Sequence, residues 1–284
     1  MDTVDRFLFD DLAIRGALVR LGPAWQAMQA RRGYSAVERN LVGELAAVTA
    51  LIGSNLKQPS RVTFHLQGNG PINILVMDCD EQLRMRGMAK VRAPNPAPAP
   101  VAQLIGDGKL VLTLQNTRAA EHPYQSHVPL EGNSVAEIFE NYLARSEQTP
   151  TRLWLAADGD SACGLYLQKL PGADACDADG WNRINHLAAT VTAAELALPP
   201  DQLLTRLFPE ETVRLFAPQT VLHHCPRDEE KVLNVLRTLG REEVERMLAE
   251  HDEIVIEDDI CKHEYRYGHE VLDKLFPTPS QLLH

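Results

Sequence analysis

The chain has 284 residues, 44% of them hydrophobic, with 39 acidic against 28 basic side chains and a formal charge of −11. That balance excludes a nucleic-acid binder, which needs a basic footprint, and no apolar run approaches membrane-spanning length. The N-terminal Met1-Asp2-Thr3-Val4-Asp5 lacks the basic and apolar regions of a signal peptide, and five cysteines do not make a secreted disulfide framework, so the cytoplasm is the expected address.

The first half reads as mixed α and β. Ser35 and Glu38 form a capping box ahead of apolar residues, which predicts a long helix beginning there. Val37, Leu41, Leu45, Val48 and Ile52 recur at spacings of three and four and give that helix a buried stripe. Alternation over 61–66 predicts a strand, and the turn Gly68-Asn69-Gly70-Pro71 returns the chain into a second strand over 72–77. A third strand is expected over 83–91. The proline-rich tract 93–100 reads as a stiff surface connection, and Asp107-Gly108 as another hairpin turn before a strand over 109–114. Ser134 caps a helix carrying Val135, Ile138, Phe139, Tyr142 and Leu143 on one face. Cys79 and Cys163 lie in or beside strands and read as core residues, whereas Cys176 falls in a polar loop.

Small polar residues over 174–180 mark a boundary. Helices are then expected over 181–198 and 201–208, split by Pro199-Pro200. Trp181, Ile184, Leu187, Leu203, Leu204, Leu207 and Phe208 are numerous for a linking segment. They form either a layer packed on the first domain or a detachable binding surface.

From Pro218 the pattern is a strand, His223-His224-Cys225, helices from Asp228 and Arg241 around Gly240, a strand over 253–257, Asp258-Asp259-Ile260-Cys261 and a hairpin. Val232, Val235, Leu236 and Leu239 are expected to face inward on the first helix, with Val244, Met247 and Leu248 on the second. A unit of roughly sixty residues has little core and often needs a metal. A soft metal needs ligands converging from separate turns, and pairs spaced by one or two residues deliver them. His223 with Cys225, and Asp258 with Cys261, supply one nitrogen, one oxygen and two sulfurs, a permissible tetrahedral zinc set. His224 and His263 are possible substitutes, and the bland alternative makes the two cysteines small buried hydrophobes.

Catalysis finds little support. Cys225 beside His224, and Ser161 near Asp158 and Asp160, pair a nucleophile with a base, but such neighbours are common. No nucleophile elbow, P-loop or dinucleotide-binding glycine pattern is present, and no enzyme is expected.

Several ordered segments carry a family resemblance. They are Arg6-Phe7-Leu8-Phe9 with Arg15-Gly16, Leu66-Gln67-Gly68-Asn69-Gly70-Pro71, Met85-Arg86-Gly87-Met88-Ala89, and Tyr142-Leu143-Ala144-Arg145-Ser146-Glu147-Gln148-Thr149-Pro150-Thr151. Cys225-Pro226-Arg227-Asp228 and Glu242-Glu243-Val244 extend it to the C-terminal part. The chain resembles the 33 kDa chaperonin (heat shock protein 33) family of redox-regulated bacterial holdases. The resemblance implies an α+β fold: a mixed α/β core with a twisted sheet over 1–176, a helical linker over 177–217, and a small zinc-switch-like domain over 218–284. It further implies ATP-independent binding of unfolding client proteins, with the linker face as client surface, zinc as cofactor, and a homodimer when active.

In that family four thiolates, in C-x-C and C-x-x-C, hold zinc in the reduced state, and oxidation within each pair expels it and unfolds switch and linker. Here His223 and Asp258 stand where two of the cysteines should be, so neither short-range disulfide can form. Within the switch only a Cys225–Cys261 bridge is available, and it would tie the unit closed. The implied protein is a stress chaperone with altered redox control; the alternative is a constitutive holdase or interaction scaffold without zinc.

Overall fold

The computed structural model describes residues 2–56, 58, 60–93, 96–117 and 122–277. Strands β1 (Thr3–Phe9) and β2 (Ile14–Leu21) open the chain, and helix α1 (Pro23–Gln29) leads to α2 (Ala36–Asn55). Ser35 caps α2 as its spacing to Glu38 predicts: the Ser35 side chain accepts from the Glu38 amide, and the Glu38 carboxylate accepts from the Ser35 amide at 2.8 Å. Strands β3 (Ser60–Gln67), β4 (Ile72–Cys79) and β5 (Arg84–Val91) follow, then helix α3 (Val101–Ile105), β6 (Lys109–Asn116) and β7 (Tyr124–Val128). Helix α4 (Val135–Ser146), capped by Ser134, precedes β8 (Thr151–Ala157) and β9 (Ala162–Lys169). Next come α5 (Ala173–Cys176), α6 (Gly180–Ala188), α7 (Ala193–Leu196) and α8 (Pro200–Leu207). Three short strands follow, β10 (Val213–Leu215), β11 (Gln219–Thr220) and β12 (Leu222–His223). The last elements are α9 (Glu229–Leu239), α10 (Arg241–His251), β13 (Ile254–Glu257), β14 (Glu264–Tyr267) and α11 (Val271–Leu275).

Two compact units result, residues 1–224 and 225–284. The first unit is the expected mixed α/β core and holds two sheets. One has the order β10-β1-β2-β9-β8, with β11 also on β1; the other runs β12-β5-β4-β3-β6-β7. The first depends on β2 pairing with β9 (Ile14 opposite Lys169), a union that no local pattern announces. Asp107-Gly108 does not close a hairpin: it passes the chain from α3 to β6, whose partners are β3 and β7. Pro94 and Asn95 of the expected proline-rich connection lie outside the described residues, and 96–100 hold neither helix nor strand.

Helix α2 lies between the sheets. Leu41, Leu45 and Val48 of its expected stripe are buried, but so are Val42, Ala46, Ala47, Ala50 and Leu51 on other sides. Gly43 lets the first sheet come close, since a Cβ there would stand 2.5 Å from the Ala157 Cβ. The shared core takes Val4, Val19 and Leu21 from one sheet and Val62, Phe64, Leu75 and Met77 from the other, and Phe64 meets Phe139 of α4 edge-on at 5.0 Å. Cys79 and Cys163 are buried as expected, and Cys176 is exposed.

The second unit has its own core of Leu233, Leu236, Val244, Leu248, Ile254, Tyr265, Tyr267, Val271 and Leu275. Asp228 caps α9 by accepting from the Lys231 amide at 3.0 Å, and Gly240, at φ 88°, ends α9 and begins α10. The inward face of α9 differs from the expected one. Val235 and Leu239 are 55% and 49% exposed, while Leu233 and Leu236 are buried. The apolar doublets Val232-Leu233 and Val235-Leu236 allow two phases one residue apart, and packing on the neighbouring elements selects the second.

Glu44 of α2 sits where burial pushes its carboxyl up to about 7. Near pH 4 the folded and unfolded chains are both protonated there, so nothing is lost. As pH rises toward 7 the unfolded chain releases its proton first and the fold is penalised. Glu44→Gln should therefore stabilise the protein by about 1–3 kcal/mol at pH 8, with the partial exposure of the carboxyl taken into account, and change little at pH 4. Urea unfolding followed by tryptophan fluorescence at both pH values checks this.

Candidate functional site

The expected helix over 181–198 is broken into α6 and α7 because Thr192 and Glu195 form a second capping box. The Thr192 amide donates to Glu195 Oε2 at 3.0 Å, and the Glu195 amide to Thr192 Oγ1 at 3.3 Å. Pro200 then starts α8, where its missing N–H costs nothing. Ile184, Leu203, Leu204, Leu207 and Phe208 are buried on the outer face of the first sheet, against Phe7, Phe9, Ile14, Leu18, Leu165 and Leu167. Trp181 and Leu187 are partly buried beside them. Phe208 meets Phe9 edge-on at 5.0 Å. This cluster is separate from the core around α2, so the sheet is covered twice, by α2 on one face and by the helical layer on the other.

A polar latch fastens the layer. Arg183 of α6 donates from Nη1 to Asp177 at 2.9 Å and from Nε to Glu211 at 2.7 Å, joining the segment before α6 to the one after α8. These hydrogen bonds hold the Arg183 guanidinium well above its ordinary value. The amide of Asp179 and then Arg183 hold the Asp177 carboxyl below its own. No spacing rule flags the latch, whose partners stand 6 and 28 positions away. Past Glu211 the chain stitches the two sheets: β10 and β11 pair with β1, Val221 is buried, and β12 runs parallel to β5.

That stitch places His223. It lies opposite Met85 of β5, and the next amide, of His224, donates to the Met85 carbonyl at 2.9 Å. The second unit brings Cys225, Cys261 and His263 together instead, each offering a ligand atom within 4.8 Å of the others. Of the four residues that spacing selects as ligands, Cys225 and Cys261 belong to this group; His223 and Asp258 do not, and His263 supplies the third donor. Asp258 shapes the turn. Its Oδ1 accepts from the amides of Ile260 at 2.7 Å and Cys261 at 3.3 Å, and its own amide donates to the His263 carbonyl at 2.9 Å. Lys262, at φ 56°, completes the reversal. A short acidic side chain accepting from amides two and three positions ahead is an Asx turn, which the sequence equally permits.

His263 Nε2 donates to the Cys225 carbonyl at 2.7 Å, the kind of outer bond that orients a ligating imidazole and leaves Nδ1 with its lone pair. Two thiolates and an imidazole suit a soft divalent ion. The Cys225 and Cys261 sulfurs stand at bonding distance, with Cα atoms 5.7 Å apart. The pair is therefore competent as a disulfide or as two ligands, but not as both at once.

The two constellations weighed as catalytic are spent on structure. Asp158 Oδ1 accepts from the amides of Asp160 and Ser161, both at 2.8 Å, in the turn between β8 and β9. Those bonds, Ser161's first, lower the Asp158 carboxyl below its usual range. Cys225 faces Cys261. Among the described residues no helix is long and apolar enough to cross a membrane.

A family model described as Hsp33 protein matches residues 2–268. The 33 kDa chaperonin of Methylobacillus flagellatus is 40% identical over 280 residues, covering 98% of this chain and 95% of the relative. That of Nitrosococcus oceani is 38% identical over 276 residues, covering 97% and 94%. The crystal structure of the 33 kDa chaperonin (heat shock protein 33 homolog) of Thermotoga maritima superposes with a TM-score of 0.79 at 22% identity, covering 97% of this chain and 98% of that one, and shows the same fold. The chain belongs to the Hsp33 family.

Proposed function

We propose that this Hsp33-family chain is an ATP-independent holdase of the cytoplasm, which captures unfolding proteins under heat or oxidative stress and is under altered redox control. The relatives' shared name, 33 kDa chaperonin, supports a chaperone role. The observation that carries the mechanism is the separate apolar cluster beneath α6–α8. Because it shares no core with α2, the layer can lift while the sandwich around α2 stays folded, as expected when stability is divided into local units. Lifting exposes Ile184, Leu203, Leu204, Leu207 and Phe208 together with the outer sheet face, a contiguous apolar surface suited to unfolded chains. The active form is then a dimer, as the family resemblance implies.

In the reduced protein Cys225, Cys261 and His263 would hold zinc, with Asp258 keeping the turn in shape. The ion would supply a clamp on a unit with little core of its own. About one zinc per chain is expected in reduced protein. Cys225→Ser or Cys261→Ser should lower affinity by roughly 100-fold or more and His263→Ala by at least about tenfold, while His223→Ala leaves it unchanged. Competition against a chromogenic chelator measures this, and a ranking in which His223 matters and His263 does not would reverse the ligand assignment.

Removing the latch tests the client surface without touching its apolar residues. Arg183→Met should weaken closure by about 1 kcal/mol, and so raise the lifted fraction roughly fivefold and improve suppression of citrate synthase aggregation. Faster amide exchange in α6–α8 without any gain in suppression would remove this layer as the capture surface.

A further inference from the structure

We propose that oxidation locks the 225–284 unit: a single Cys225–Cys261 bridge closes it covalently, so peroxide and metal are alternative clamps on one pair of sulfurs. The lock stands on the geometry of this unit, and only its effect on client capture rests on the holdase reading.

The position of the bridge carries the argument. Cys225 stands at the start of the unit, three residues before the Asp228 cap, and Cys261 lies in the turn between β13 and β14. The two are 36 positions apart, so their bond ties off α9, α10 and β13. That loop contains Leu233, Leu236, Val244, Leu248 and Ile254, five of the nine buried apolar residues of this core among the described residues. Cross-linking such a loop withdraws conformations from the opened chain. Non-covalent contacts already align the two segments. Arg227 donates to the Glu264 carbonyl at 2.5 Å and stacks 4.7 Å from the Tyr265 ring centre, and the Asp228 amide donates to the Tyr265 hydroxyl at 2.9 Å. With the His263 bond to the Cys225 carbonyl, these hold the sulfurs in register before any bond forms. No shorter bridge competes, because Cys79, Cys163 and Cys176 all belong to the 1–224 unit.

The chemistry balances with a peroxide as oxidant. One thiol attacks the O–O bond, giving a sulfenic acid and one water. The second thiol attacks that sulfur, the S–S bond forms and a second water leaves, so two thiols and one hydrogen peroxide give one disulfide and two waters. Any metal held by the two sulfurs departs as its cation. The least constrained state is therefore the reduced, metal-free one.

Amide exchange in α9 and α10, read by mass spectrometry on the full chain, tests this in three states: peroxide-oxidised, reduced with zinc, and reduced with chelator. The oxidised state should be protected roughly 30- to 900-fold over the reduced, chelated one. The Cys225→Ser/Cys261→Ser double variant should show no difference between peroxide and reductant. Equal or faster exchange after oxidation would overturn the lock. Citrate synthase aggregation followed in parallel separates the two readings. Protection on oxidation with no suppression in any state sinks the holdase and keeps the lock; suppression accompanied by a unit loosened by peroxide does the reverse.

Discussion

A helix enclosed on most sides by two sheets cannot afford a polar face, and that constraint on α2 organises the larger unit. Its small residues, Gly43, Ala46, Ala47 and Ala50, let both sheets approach, and the inner faces of those sheets then share one core with Trp25, Phe64 and Phe139. Because that core is complete without them, the helices from 180 to 207 add a second covering and not a foundation. The apolar surface is thus divided into two separate clusters, one around α2 and one between the first sheet and the outer helices.

The two coverings differ in how they are fastened. The inner one is held by dense apolar packing around a capped helix of 20 residues, the outer by a smaller apolar cluster under three short helices, with ion pairs that include Arg183 and its two acidic partners. Short helices have little stability of their own and depend on the surface beneath them. The 225–284 unit likewise has short elements, over a core of nine buried apolar residues among the described ones, with the Cys225–Cys261 pair beside it.

Local signals in the chain identified what local physics decides. The Ser35–Glu38 box, the Gly68–Pro71 turn, the Ser134 cap and the succession of elements after Asp228 all stand in the structure. What depends on distant partners was illegible. The β2–β9 ladder that creates a second sheet, the latch on Arg183 and the phase of α9 are settled by residues far along the chain. The ligand set shows the same boundary. Spacing singled out Cys225 and Cys261, and the fold brings them together, but an acidic residue before a cysteine looks alike whether it binds an ion or accepts from the two amides that follow. The fold chose the second for Asp258 and turned His263 toward Cys225. His223 was claimed by a strand.

The stitch formed by residues 213–223 has a topological consequence. Those residues pair with both ends of β1 in one sheet and with Arg84 and Met85 of β5 in the other, so they cover one border of each sheet there. Peeling it away would leave two raw borders of unpaired amides and carbonyls, on sheets whose remaining strands keep their partners. Borders of that kind are templates for any extended backbone regardless of its side chains.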